Sequence, residues 1–78
     1  MAEVHELDAG DLGCGTGLPR AFADRIRSIP VGDVLRTVVS DSAAREDLPA
    51  LARMMGHRVQ AIEDAPDGRL VITVERAK

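Results

Sequence analysis

Two helical patterns and four short strand patterns have to share one hydrophobic core, because the chain has only 78 residues. The first helical pattern has apolar residues at intervals of four, four and three, namely Leu18, Phe22, Ile26 and Ile29. Pro19 fits the first turn of this helix, where a missing backbone N–H costs nothing, and Pro30 ends it. Phe22 is the only aromatic residue, so the core has to consist mainly of aliphatic side chains.

The second helical pattern covers residues 43–55 and contains a proline. Its apolar face consists of Leu48, Leu51, Ala52 and Met55. Pro49 leaves two alternatives open: Asp47 caps a new helix with Pro49 in its first turn, or one helix is kinked at Pro49. Gly56 is the expected end of the helix.

Four segments have the β-branched or alternating composition of strands: residues 2–8, 34–40, 57–64 and 69–76. The last two flank Ala65-Pro66-Asp67-Gly68 and are predicted to form a hairpin. We therefore predict a single domain over residues 1–78 with an α/β (α+β) two-layer sandwich fold. In this βαβαββ arrangement a four-stranded mixed sheet carries two helices on one face, with Ile26 and Leu51 buried against the sheet.

Composition excludes several classes of function. The net charge is −3 and the isoelectric point is about 5.2, so the chain lacks the basic stripe of a general polyanion-binding protein. A single aromatic residue cannot form a stacking platform for single-stranded nucleic acid, and no direct nucleic-acid binding is expected. One cysteine cannot form an internal disulfide, and one cysteine with two histidines is a poor tetrahedral zinc set. We expect no metal site and no bound cofactor.

The amino-terminal segment MAEVHELDAG has neither a cationic start nor an apolar run, so no signal peptide is predicted. No apolar run approaches the roughly 20 residues that span a bilayer. With an unpaired thiol, these features predict a cytoplasmic protein without a membrane segment, and we expect a monomer.

We expect the two histidines and the Met54-Met55 pair to have structural roles and no catalytic role. His5 is expected on an exposed strand edge, and His57 follows the end of the second helix. Met54 and Met55 are expected to fill the core.

The segment of residues 9–17 contains four of the seven glycines and is predicted to be a loop. Taken alone, its DLGCGTG sequence resembles the glycine-rich motif of class I S-adenosylmethionine-dependent methyltransferases. Such a fold needs a multi-stranded doubly wound sheet, whereas 78 residues supply about four strands. Chain length therefore argues against this interpretation.

A second resemblance begins with Leu7-Asp8-Ala9, Leu12 and Cys14 and extends over the whole chain. These residues resemble the LDxxGLxCPxP-like segment that opens the TusA/SirA family of small sulfur carriers. The match continues at family-like spacing with Gly32-Asp33, Asp41, Asp47-Leu48-Pro49 and Gly56-His57, and it covers nearly all of residues 4–76. The main departure is that the family's CPxP is Cys14-Gly15-Thr16-Gly17 here, with glycine in place of both prolines. Because proline suits a first helical turn, the backbone at positions 15 and 17 is expected to accept it.

The resemblance implies that Cys14 carries sulfur as a persulfide, with Gly15, Thr16 and Gly17 forming the loop and helix start that support its thiolate. It also implies protein partners: a cysteine desulfurase or rhodanese-like donor, and an acceptor in tRNA thiolation, cofactor synthesis or sulfur metabolism. Such a protein is a carrier that acts with partner enzymes rather than an autonomous enzyme. The alternative is a non-catalytic binding or regulatory module that keeps the fold, with a methyltransferase-like fragment as the weaker third hypothesis.

Overall fold

The computed structural model of the chain describes residues 2–10, 12, 15 and 17–78. Its elements follow the predicted order: β1 (Val4–Gly10), α1 (Leu18–Ser28), β2 (Val34–Val39), α2 (Ala44–Met54), β3 (Arg58–Asp64) and β4 (Leu70–Glu75). In the described part of the chain, no helix is long and apolar enough to cross a membrane.

The four strands form one mixed sheet in the order β1-β2-β4-β3. Strand β2 is parallel to β1 and antiparallel to β4, so Thr37 pairs with Leu7 on one side and with Ile72 on the other. The parallel pair requires a crossover, which α1 supplies. Strands β3 and β4 form the predicted hairpin, whose turn uses Gly68 at φ 88°.

Both helices pack on the same face of the sheet and share one core, which confirms the predicted two-layer fold. The core residues from the helices are Leu18, Phe22, Ile26, Ala44, Leu48 and Ala52. They meet side chains from the central strands, Leu35, Val39, Ile72 and Val74. Burying these aliphatic side chains is the main stabilising contribution, at about 25 cal/mol per Å² of apolar surface removed from water.

Helix α2 is continuous across Pro49, and its start lies upstream of Asp47. The Oδ1 atom of Asp41 accepts a hydrogen bond from the Ala43 N–H at 3.0 Å, immediately before the first turn. Asp47 lies inside the helix, so the alternative in which Asp47 caps a new helix is wrong. The helix ends in a Schellman motif, with Gly56 at φ 87° and the His57 N–H bonded to the Ala52 carbonyl at 2.9 Å.

The predicted burial of the helix faces is only partly correct. Ile26 is fully buried, as predicted, but Leu51 is half-buried at the margin of the core. Met54 is 85% exposed, so its assignment to the core is wrong. The physical reason is helical geometry: adjacent residues point about 100° apart, and Met55 occupies the direction that faces the core.

The end of β4 is tied to the end of α1 by Arg76. Its guanidinium Nη1 donates to the Ile29 carbonyl at 2.6 Å and to the Arg27 carbonyl at 2.8 Å. Carbonyl groups at a helix C-terminus have no partner within the helix, and a cation there also complements the helix dipole. Arg76 therefore caps α1 from across the sheet.

His57 fixes the segment that follows β4. The ring is buried, and its Nδ1 accepts a hydrogen bond from the Ala77 N–H at 3.1 Å. Burial lowers the pKa of His57 below its usual range, and the positive charges of Arg76, Lys78 and Arg27 act in the same direction. Nδ1 can accept this bond only while the ring is neutral.

We predict that folding stability falls as the pH drops below about 6.5, the ordinary histidine value. The unfolded chain then binds a proton at His57 that the folded chain does not, so the loss begins at the unfolded pKa and continues toward the lower folded one. In the parent protein, the urea midpoint should fall as the pH is lowered from neutrality to the onset of carboxylate titration. The His57→Asn variant should have a flatter profile, and equal slopes would contradict the prediction.

Thr37 is an anomaly in the core. The residue is fully buried, and its hydroxyl has no hydrogen-bond partner among the described residues. An unsatisfied buried hydroxyl costs about 1–3 kcal/mol in proteins, and valine has nearly the same shape.

Replacing Thr37 by valine should therefore stabilise the fold by about 1 kcal/mol, measured as a higher urea midpoint with an unchanged m-value. Thr73→Val is the matched control, because Thr73 pairs with Arg36 in the sheet and is half-exposed. A loss of stability in Thr37→Val would show that the hydroxyl has a partner.

Candidate functional site

The glycine loop connects the end of β1 with the start of α1. Because β1 and β2 are parallel, they end at the same edge of the sheet, and the Ser40 N–H joins them by donating to the Gly10 carbonyl at 3.2 Å. Both helices begin a few residues after these strand ends. The loop therefore leaves the sheet at the carboxyl ends of β1 and β2, on the side where the amino ends of both helices lie.

The chain is well anchored where it enters the loop. Gly10 has φ 54°, and its N–H donates to the Asp8 carboxylate at 3.0 Å. The Leu12 N–H donates to the Ala9 carbonyl at 2.9 Å, and the Leu12 side chain packs against the margin of the core.

Two of the four predicted site residues can be located. Cys14 and Thr16 lie outside the described residues, whereas Gly15 and Gly17 are both exposed. A Cβ atom added at Gly15 would meet nothing within 4 Å. Gly17 is the N-cap of α1 with φ 105°, and its carbonyl accepts the Ala21 N–H at 3.0 Å.

The conformation of Gly17 contradicts the expectation that position 17 accepts proline. Proline holds φ at about −65°, whereas Gly17 has φ 105°. Gly15 is different, because its φ lies outside the left-handed region. A proline at position 17, which the family resemblance implies, is therefore incompatible with the φ angle of this position. Glycine can adopt that angle without strain.

The start of α1 has an electrostatic field that favours an anion. The N–H groups of Leu18 and Arg20 have no carbonyl partner within the helix, and Pro19 between them has no N–H. The first turn contains no acidic side chain, so nothing there neutralises the positive end of the helix dipole. Helix amino ends of this kind lower the pKa of cysteine thiols that lie next to them.

An apolar groove lies beside the same helix start. It is lined mainly by Pro19, Leu48, Leu51 and the exposed Met54, with Asp47 and Ala50 completing it. Sequence reasoning missed this groove because it assigned Leu51 and Met54 to the core. The available signal was the Met54-Met55 pair itself, since adjacent helical residues point about 100° apart and Met55 already continues the apolar face of Leu48, Leu51 and Ala52.

A polar cluster occupies the other end of the β1–β2 pair. The His5 Nε2 and Asp33 Oδ2 atoms are 2.9 Å apart, and the Glu3 N–H donates to Asp33 Oδ1 at 3.2 Å. The hydrogen bond with His5, and after it the Glu3 N–H, lowers the pKa of Asp33. His5 lies on the edge strand β1, as predicted, but its side chain is half-buried in this cluster and not exposed.

Two sequence comparisons relate this chain to known proteins. The model of the sulfurtransferase TusA family matches residues 5–76. The sulfur carrier protein TusA of Pseudomonas syringae pv. syringae (strain B728a) is 28% identical over 71 residues, which cover 91% of this chain and 82% of that protein.

A SirA-like protein of Desulfitobacterium hafniense, known from a crystal structure, has the same fold. The TM-score is 0.73 at 20% identity, and the match covers 96% of this chain and 99% of that one. The four-stranded sheet with two helices agrees with this neighbour. Since the family match runs from within β1 to the residue after β4, the chain belongs to the TusA sulfurtransferase family of sulfur carriers.

Proposed function

We propose that this protein relays sulfane sulfur as a persulfide on Cys14 between a donor protein and an acceptor protein. The observation that carries the proposal is the position of the only cysteine. Cys14 lies in the loop that leads into the amino end of α1, inside the segment matched by the family. Family membership supports the carrier role. The position of Cys14 shortly before a helix in the sequence supports formation of the thiolate that this role requires.

The relay needs no external oxidant or reductant. The Cys14 thiolate attacks the outer sulfur of a donor persulfide and forms a new S–S bond. The S–S bond of the donor breaks, and its electron pair leaves with the donor thiolate. The same exchange then passes the outer sulfur to an acceptor nucleophile, and Cys14 returns to a thiolate. A donor of the cysteine desulfurase or rhodanese-like type fits this chemistry, because both present a persulfide.

Thiolate formation is supported by the helix start. The positive end of the α1 dipole has no acidic neighbour in its first turn. Cysteines at helix amino ends have pKa values lowered from about 8.5 to roughly 3.5–7.5, which gives a reactive fraction at neutral pH. The exposed Gly15 has no side chain that would hinder a partner's active site.

The groove of Pro19, Leu48, Leu51 and Met54 supports the requirement for protein partners. A transfer between two cysteines requires two protein surfaces to fit around the loop. Met54 is 85% exposed, and a flexible thioether adapts to partners of different shape. The groove begins at Pro19, which is two residues after Gly17 and five residues after Cys14 in the sequence, so a protein that contacts it also reaches the start of α1.

Incubation with a cysteine desulfurase and cysteine should add one sulfur atom, about 32 Da, to the intact mass. The gain should be reversed by a reductant and should be absent in Cys14→Ser. In the same experiment Met54→Glu should load more slowly, while its alkylation by iodoacetamide stays unchanged because that reagent needs no docking. An unchanged parent mass with several competent donors would favour the alternative, a binding or regulatory module that keeps the fold.

The two glycines that replace the family prolines should respond differently to proline. Gly17→Pro should destabilise the fold by more than about 1 kcal/mol, because φ 105° is inaccessible to proline. Gly15→Pro is the matched variant and should change stability by less than about 1 kcal/mol. Urea denaturation compares the two, and equal losses would contradict the assignment of the special conformation to Gly17.

Gly15→Pro also tests whether the added N–H at position 15 supports the thiolate. If it does, the variant should be alkylated more slowly than the parent at pH 7, since proline removes that donor. An unchanged or faster rate would leave the helix end as the source of reactivity.

A further inference from the structure

Three potential metal ligands converge at the end of the sheet opposite the glycine loop. Ligand atoms of Glu3, His5 and Asp33 all lie within 4.8 Å of one another. The 2.9 Å between His5 Nε2 and Asp33 Oδ2 is close to the separation of adjacent ligands around an octahedrally coordinated ion bound at about 2.1 Å. The cluster combines one imidazole nitrogen with two carboxylates.

The backbone places these side chains together. The β1–β2 register pairs Val4 with Val34, and the Val34 N–H donates to the Glu3 carbonyl at 2.9 Å, so Asp33 lies beside Glu3. Glu3 and His5 are two residues apart along an extended chain and point to the same side. The Asp33 backbone is held on both sides, by the Pro30 carbonyl at 3.1 Å and the Arg76 N–H at 2.9 Å. Glu3 and Asp33 immediately precede β1 and β2, so backbone hydrogen bonds at the end of the sheet hold the donor set in place.

The charges of the cluster favour a cation. Among the described residues, no arginine or lysine forms an ion pair with Glu3 or Asp33, although Asp33 is only 8% exposed. Other carboxylates on the sheet do have such partners, for example Glu6 with Arg36 at 3.2 Å. A shallow polar cleft lined by Ala2, Val31, Gly32 and Asp33 opens beside the cluster and leaves room for water ligands.

We propose that Glu3, His5 and Asp33 form a binding site for a divalent cation of the Zn²⁺ and Mn²⁺ class. Imidazole favours Zn²⁺ and its neighbours in the transition series, and the two carboxylates extend the range to Mn²⁺. The site differs from the tetrahedral Cys/His set that composition excludes, because two of its three ligands are carboxylates. Bound metal links the residue before the edge strand β1 to the residue before β2.

Calorimetry with Zn²⁺ on the untagged Cys14→Ser protein tests the proposal, since this variant removes the thiol as a competing ligand. One ion should bind, and the melting temperature should rise with the Zn²⁺ concentration. His5→Gln and Glu3→Gln should each weaken binding by about tenfold or more, while Glu6→Gln should leave it unchanged. Glu3 is exposed, so Glu3→Gln keeps the test valid even if His5→Gln fails to fold.

Mn²⁺ broadening of amide NMR signals locates the ion. Signals of residues 3–5 and 32–34 should broaden first if the proposal holds. Absence of binding at millimolar Zn²⁺, equal affinity in the parent and in Glu3→Gln, or broadening centred on residues elsewhere would each overturn it.

Discussion

The parallel pairing of β1 with β2 is the constraint on which the other features depend. A parallel pair brings both carboxyl ends to one edge of the sheet and both amino ends to the other. The glycine loop and the starts of both helices consequently lie at one end of the molecule, and the Glu3, His5 and Asp33 cluster lies at the other. The crossover through α1 also brings the positive end of a helix to the loop that contains Cys14.

A core without aromatic clusters needs additional anchors, and the segment after β4 provides two of them. Arg76 reaches the last carbonyls of α1, and His57 receives the Ala77 N–H. Each contact joins parts of the chain far apart in sequence, and each uses a polar group at the margin of an aliphatic core. Thr37 is the opposite case, a polar group inside that core without a partner among the described residues.

The family resemblance implies prolines at positions 15 and 17, where this chain has glycine. Proline narrows φ to one region, whereas Gly17 uses a left-handed conformation immediately before the helix. Gly17 leads directly into α1, whose amino end carries the positive pole of the helix dipole. The carrier chemistry proposed above relies on that pole and not on prolines in the loop.

The sequence by itself determined the six elements, their order and the two-layer fold, because these follow from local periodicity and from turn residues. The family followed from the resemblance of its motifs and not from periodicity. Leu18, Phe22 and Ile26 repeat at a helical interval and are buried as that interval requires. Three features needed the tertiary structure. The conformation of Gly17 depends on how the loop meets α1, and the exposure of Met54 depends on how α2 is rotated against the sheet. The meeting of His5 with Asp33 depends on the register of two strands that are separated by a helix. Periodicity specifies which face of one element is apolar, but only the packing of several elements decides which residues from distant segments come into contact.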